Sequence, residues 1–397
     1  MTGPSARPGD SRPPDVLVVG AGVIGAACAY YCTSAGLRVT VVERGAIGGG
    51  TTGACEGNLL VSDKETGPEL DLALLSSRLW REVRDDLGAA ALEYEAKGGV
   101  VVAGSDPTAA GLRQLTAEQR AAGVEAVDVG PDELAALEPN LTREVAGGAY
   151  YPQDAQVQPV LAAAHLLRRA RDRGATVHRG TTVTGFLRDR RGAVTGVRTD
   201  SAALPALRAR WVVNAAGTWA GRLADLAGAP VPVLPRKGFI LVTEPLPRVV
   251  RHKVYTAEYV ANVASDDAGL ETSVVVEGTR AGTVLIGASR ERVGFDRTVA
   301  LPVLRKLADQ AIGLFPFLSE VALLRGYLGF RPYCPDHLPV IGPDPRAPGL
   351  VHACGHEGAG IGLAPATGHL IAQLLTGRAP DLSLAPFRPQ RFEEAAA

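Results

Sequence analysis

No stretch of this 397-residue sequence stays apolar for the roughly 20 residues that a bilayer-crossing helix needs, so no membrane span is predicted. Met1 to Pro14 hold glycine, proline, serine and arginine in place of the apolar core of a signal peptide, and read as a flexible leader (1–14). A cytoplasmic location follows by default. An excess of charge of either sign is also missing. Lys and Arg number 41 against 42 Asp and Glu, a formal net charge of -1, too little for a field that would gather nucleic acid. Cysteine is scarce: Cys28, Cys32, Cys55, Cys334 and Cys354 form an odd set without a C-x-x-C pair. The seven histidines show no H-E-x-x-H spacing. Neither disulfides nor a metal site is predicted, and Cys28 and Cys32, four apart on a predicted helix, read as small packing residues. What remains is a charge-neutral chain, long enough for two intertwined domains and suited to a small-molecule partner.

Glycine, by contrast, is plentiful and placed. Asp15–Val19 (DVLVV) reads as a short apolar strand, and Gly20-Ala21-Gly22-Val23-Ile24-Gly25 follows at once. A helix over Ala26–Ala35, a second strand over Arg38–Val42 and the acid Glu43 complete the order. Glu43 stands twenty-three positions after Gly20, the layout of a dinucleotide-binding unit. Gly20 permits the tight turn, Gly22 lets a pyrophosphate approach the backbone, and Gly25 with Ala29 lets the helix lie close on the sheet. The helix N-terminus, with Val23 and Ile24 in its turn, offers N–H groups and a positive dipole end to phosphates. Glu43 would accept hydrogen bonds from the adenosine ribose and repel a 2′-phosphate, which argues against NADP.

After Glu43 and Arg44 no further βα unit follows. A glycine- and threonine-rich loop over Gly48–Asn58 takes its place, bringing Gly50, Thr51, Thr52, Glu56, Gly57 and Asn58, then Leu59. Its N–H and hydroxyl donors suit a long cofactor running past its pyrophosphate towards a flavin ring. Two distant segments point the same way. Trp211–Ala220 (WVVNAAGTWA) reads as a strand, a small-residue turn and a helix starting near Trp219. Gly355-His356-Glu357-Gly358-Ala359-Gly360-Ile361-Gly362 opens a helix running to about Leu375, whose N-terminus can face an atom gaining negative charge.

Taken together these segments resemble the D-amino-acid-oxidase superfamily of flavoproteins, in particular glycine oxidases, sarcosine oxidase β-subunits and opine-oxidase-like or cyanide-synthase-like catalytic subunits. The resemblance covers nearly the whole chain after the leader. Its further landmarks are Pro235-Arg236-Lys237-Gly238, Ile286–Asp296 (IGASRERVGFD), Gly329–Gly342 (GFRPYCPDHLPVIG) and Gly355–Gly368 (GHEGAGIGLAPATG). It implies an α/β chain with a discontinuous Rossmann-type FAD-binding domain and a second, mainly antiparallel β substrate domain. It also implies oxidation of an amino acid or N-substituted amino acid (glycine, sarcosine, D-amino acid, proline-like or opine) by hydride transfer from the α-carbon to flavin N5. The imine formed would hydrolyse to an oxo acid. In this pattern Val183 gives a backbone contact to adenine, Ala215, Gly217 and Trp219 lie beside the dinucleotide, and the Gly355–Gly362 turn sits under the flavin pyrimidine edge. Arg331 grips the substrate carboxylate, and is expected just past the end of an apolar strand over Val321–Gly329. Tyr255 and Tyr259 could cover the substrate, and His356 and Glu357 adjoin the flavin edge.

Two departures from the family pattern matter. Cys334 stands where Thr is common before Pro335-Asp336, and Gly329 falls near the position from which monomeric sarcosine oxidases tether their flavin, so FAD is expected to be non-covalent. The electron acceptor is read as O2. The alternative is a catalytic FAD subunit in a hetero-oligomer that passes electrons to a partner subunit, and a third reading is a dinucleotide-binding module without catalysis. The FAD-binding domain is expected at 15–88, 150–235 and 331–385, the substrate domain at 89–149 and 236–330, and a tail at 386–397. Helices are expected over Pro68–Leu87, Asp106–Ala122 and Pro159–Arg173, a hairpin over Thr181–Leu187 and Ala193–Thr199, and a sheet from Phe239 to Gly287.

Overall fold

The computed structural model describes residues 13–259 and 267–394. Most of the expected leader, 1–12, and the last tail residues, 395–397, lie outside the described part. Two sheets carry the architecture. The first has six strands in the order Val340–Pro343, Leu350–Cys354, Trp211–Asn214, Val16–Val19, Val39–Glu43 and Thr176–Arg179. Its pairs are parallel except where Val340–Pro343 meets Leu350–Cys354. Every residue of Val16–Val19 is buried, as befits a strand covered on both faces.

The helix that follows spans Val23–Ser34 with Gly22 as its N-cap, so the glycine turn is itself the helix N-terminus. This helix is buried nearly all round, and its small residues let neighbours come close. Helices Pro159–Asp172 and Gly360–Leu375 pack against it. Gly368 marks the closest approach: a Cβ there would lie 2.6 Å from the backbone of Ala27. Pro365 sits inside Gly360–Leu375, and without an N–H it leaves the Ile361 carbonyl without its helical donor. The helix Pro68–Leu87 repairs this. Trp80 Nε1 donates to Ile361 O at 3.1 Å and to Gly362 O at 3.0 Å, and Ser76 Oγ donates to Gly362 O at 2.6 Å.

The second sheet has eight strands in the order Leu323–Tyr333, Leu234–Thr243, Val284–Arg290, Glu271–Gly278, Lys253–Thr256, Gly99–Ala103, Gly147–Tyr151 and Val127–Val129. Only Lys253–Thr256 with Gly99–Ala103 is parallel. Helix Leu301–Leu314 packs on this sheet over a core that includes Phe239, Leu241, Ile286 and Leu307. The expected hairpin is present as Val183–Arg188 and Val194–Thr199, joined by a third strand, Ala206–Arg208.

One expectation needs correction. Arg331 is not beyond a strand end but inside Leu323–Tyr333, which pairs along its length with Leu234–Thr243. Pro332 suggested a break, yet this is an edge strand and Pro332 stands opposite Pro235, a register position that needs no N–H from either residue. The divisions drawn at 235/236 and 330/331 therefore fall within two paired strands, and the one at 149/150 falls within Gly147–Tyr151.

Candidate functional site

A cavity of about 510 Å³ opens at the carboxyl ends of the parallel strands, where Val19, Glu43, Ala215 and Cys354 line it. It continues to Gly238, Ile240 and Arg331 on the eight-stranded sheet, and to Tyr259 just beyond the strand Lys253–Thr256. Most of the residues expected at the cofactor line it. They are Gly20, Gly22, Val23, Ile24, Glu43, Arg44, Gly50, Thr51, Thr52, Glu56, Gly57, Asn58, Val183, Ala215, Gly217, Trp219, Gly355, Glu357, Gly358, Gly360 and Ile361. Gly25, Leu59, Ala359 and Gly362 do not lie on the wall. Gly25 is a packing residue, because a Cβ there would sit 2.0 Å from Gly20 O.

The first end is shaped for a dinucleotide. Gly20 has φ 110° and a Cβ there would lie 2.4 Å from Ala215 O, so only glycine keeps this turn against the neighbouring strand. The N-cap residue Gly22 offers no side-chain cap, leaving the helix N-terminus open to an anion, while Val23 N donates to Thr52 Oγ1 at 3.0 Å. Glu43 is anchored by Ala21 N and Gly45 N, each donating at 2.8 Å, and its oxygens keep further acceptor capacity towards the cavity. The Arg44 guanidinium lies 3.7 Å above the Trp219 ring, which in turn stacks on Phe295.

At the other end the charged groups differ sharply in how they are satisfied. Arg236 and Arg331 face each other across the two paired strands. Arg236 is enclosed and pairs with Glu357 at 2.6 Å and Glu271 at 3.0 Å. Arg331 donates through Nη1 to Ser289 O at 2.8 Å and has no carboxylate within ion-pair distance among the described residues. Burial, then the nearby charge of Arg290, holds its pKa below the usual arginine value. Gly238 makes room for this guanidinium: a Cβ there would fall 2.3 Å from Arg331 Nη1.

The remaining candidates separate in the same way. Tyr259 lines the cavity, whereas Tyr255 is fully buried and off its wall, with its hydroxyl hydrogen-bonded to Ser62 Oγ. His356 borders the cavity, but its Nε2 is bonded to Thr367 Oγ1 at 2.9 Å, and burial pushes its pKa down to about 3. It is neutral at any working pH. Burial would raise the Glu357 carboxyl, but the His337 hydrogen bond and Arg236 hold it below its ordinary value, as an ionised structural partner.

The model of the DAO family, FAD dependent oxidoreductase, matches residues 15–374. The chain belongs to this family. A hydrogen cyanide synthase subunit HcnC from Pseudomonas aeruginosa is 30% identical, covering 96% of this chain and 97% of its own. A glycine oxidase from Geobacillus kaustophilus is 32% identical over 94% of this chain and 96% of its own. The crystal structure of glycine oxidase from Geobacillus kaustophilus superimposes with a TM-score of 0.85 at 28% identity, covering 96% and 99% of the two chains. L-proline dehydrogenase from P. horikoshii shares the fold, with a TM-score of 0.87 at 24% identity over 96% and 98%.

The protein is thus an FAD-dependent oxidoreductase of amino acids or amines, and its cavity fits that cofactor. The glycine turn and Glu43 suit the adenosine diphosphate half, and the Gly355–Ile361 turn, at the N-terminus of Gly360–Leu375, suits a group that gains negative charge. The binding is non-covalent. Both cysteines on the wall, Cys55 and Cys354, are unreactive thiols, since burial pushes each pKa up to about 12. No helix among the described residues is long and apolar enough to cross a membrane.

Sequence reasoning missed Thr181, Thr182, Arg222 and Gly238 as wall residues. The signal for Gly238 was a glycine in an otherwise regular strand, which marks a close approach, here by Arg331. Thr181, Thr182 and Arg222 carry no pattern of their own, being placed by where the hairpin and the short helix Ala220–Leu226 reach the sheet.

Proposed function

We propose that the protein oxidises an amino acid or N-substituted amino acid at the carbon beside nitrogen, with Arg331 holding the substrate carboxylate. The observation that carries this reading is the half-buried guanidinium of Arg331, which lines the cavity with no ion-paired carboxylate among the described residues, set across the same ladder from Arg236, which has two. A partly desolvated cation that cannot lose its proton attracts an anion, and a carboxylate supplies one in a two-point, oriented grip. Ser289 O and the space left by Gly238 fix the direction of the fork. Tyr259 and Ile240 form apolar wall that excludes water beside it. Bound FAD supplies the two-electron acceptor for the hydride that leaves the carbon. Since His356 is neutral and tied to Thr367, no side-chain base is assigned, and the amine enters uncharged. The resulting imine hydrolyses to an oxo acid.

Arg331→Gln tests the grip. In the FAD-loaded protein the variant should raise the KM for amino-acid substrates by roughly 10- to 100-fold, the loss of a charge-assisted hydrogen-bond pair, while FAD content stays unchanged. An unchanged KM would remove Arg331 from the site.

A second reading keeps the same chemistry but sends the electrons to a partner subunit instead of O2. It is favoured by the relative HcnC, a subunit by name, and by apolar side chains left exposed around Leu301 and on the edge strand at Leu323 and Leu324. A cytoplasmic setting suits either reading.

A further inference from the structure

A second cavity, of about 270 Å³, shares no wall residue with the one described above. It lies at one end of the eight-stranded sheet, where Glu271–Gly278 stops and Gly99–Ala103, Lys253–Thr256 and Val284–Arg290 begin. Its walls are Glu95 and Lys97, the loop 246–251 and the turn that joins Gly278 to Val284. These walls are fixed from behind. The buried carboxylate of Glu138 accepts from Arg251 N at 2.9 Å and from His252 N at 2.5 Å, and Asn140 Nδ2 donates to Val249 O at 2.9 Å. Loop and turn also touch, since a Cβ at Gly278 would lie 2.8 Å from Val250 O and one at Gly282 would lie 2.7 Å from Leu246 O.

Four cations line this pocket, Lys97, Arg248, Arg251 and Arg280, against the single acid Glu95, 3.7 Å from Lys97 Nζ. Arg248 Nη2 and Arg251 Nη1 reach only carbonyls, Arg251 O at 3.2 Å and Ala136 O at 3.5 Å. None of the three arginines has a carboxylate within ion-pair distance among the described residues. Lys97 is 9% exposed, and burial, against the charges of Glu277 and Glu95, holds its pKa below the ordinary lysine value. The formal net charge of the whole chain is only -1, so this excess of positive charge is local, and a concave wall focuses its field on an anion. A planar carboxylate answers one guanidinium fork, whereas a phosphate monoester directs three oxygens around a tetrahedron and carries about 1.5 to 2 negative charges near pH 7. The pocket is smaller than the roughly 300–1,000 Å³ of sites for drug-sized ligands, a size that suits one phosphate with a small body. We propose that this pocket is a second ligand site, which binds inorganic phosphate or the phosphate group of a small ester. It uses no residue of the FAD cavity and stands apart from the assignment of Arg331.

Isothermal titration calorimetry of the FAD-loaded protein, in chloride buffer at constant ionic strength, tests the site with inorganic phosphate and with ethyl phosphate. Loading with FAD fills the helix N-terminus at Gly22, where phosphate would otherwise compete. One probe molecule should bind per chain. Arg248→Ser and Arg280→Ser, at exposed positions, should each weaken binding about 10-fold, the worth of one charge-assisted pair, and about 100-fold together. Arg190→Ser, an exposed arginine between the strands Val183–Arg188 and Val194–Thr199, should leave the affinity within about threefold, the scale of a screened surface charge. FAD content and Tm of the variants establish that they fold. With the site sustained by the double variant, tighter binding of ethyl phosphate identifies the ligand as an ester, and equal or weaker binding identifies it as the free ion. No saturable heat with either probe, or binding that the double variant leaves intact, would overturn the proposal.

Discussion

Asp154 is fully enclosed, and burial is the main force pushing its carboxyl up to about 7, against the hydrogen bonds from Ser62 and from Val61 N that favour its ionised form. Between its ordinary value near 4 and that raised value, the folded chain holds a proton that the unfolded chain has released. Stability from this group is therefore present at low pH and lost as pH rises through about 7, with a slope of at most about 1.4 kcal/mol per pH unit. His356 acts in the opposite sense, because its depressed pKa means that stability is lost as pH falls below about 6.5 towards 3. The two must be separated by a variant. Asp154→Asn keeps the acceptor for Val61 N and cannot titrate, so the difference in unfolding free energy between variant and native protein should grow in the variant's favour from pH 4 to 7. Denaturant midpoints across that range measure it, and a pH-independent difference would show that Asp154 titrates alike in both states.

At the level of elements, the helix Gly360–Leu375 shows how a local rule is broken and compensated. Pro365 costs the helix a hydrogen bond one turn after its N-terminus, at the turn that borders the cavity. Helix Pro68–Leu87 holds the freed carbonyls through Trp80 and Ser76. Trp80→Phe keeps most of the apolar volume but removes the donor, and should cost about 1–3 kcal/mol of unfolding free energy, with weaker FAD retention during gel filtration. Retained stability would mean that the Ile361 carbonyl finds another donor. Helix Pro68–Leu87 was legible from periodicity alone, yet nothing in its sequence foretold this service, which depends on a helix nearly 300 positions away. The strand bearing Arg331 was misjudged for a related reason. Proline reads as a terminator in isolation, but an edge position opposite another proline tolerates it.

For the molecule as a whole, the glycine fingerprint was readable because turn, helix and acid lie within thirty residues and each has a strict local requirement. The cavity's far end was not. Gly238 and Ser289 meet Arg331 only because the eight-stranded sheet sets three separate strands side by side, and no local pattern marks such a meeting. The central claim, that an FAD-dependent amine oxidation takes place in this cavity, is tested most directly by anaerobic visible spectroscopy of the FAD-loaded protein. Addition of glycine, sarcosine, iminodiacetate, proline isomers or D-amino acids should bleach the flavin band with at least one of them, and Arg331→Gln should shift that bleaching to much higher concentration. A band left unchanged by every carboxylated amine, in protein that has taken up FAD, would contradict the account.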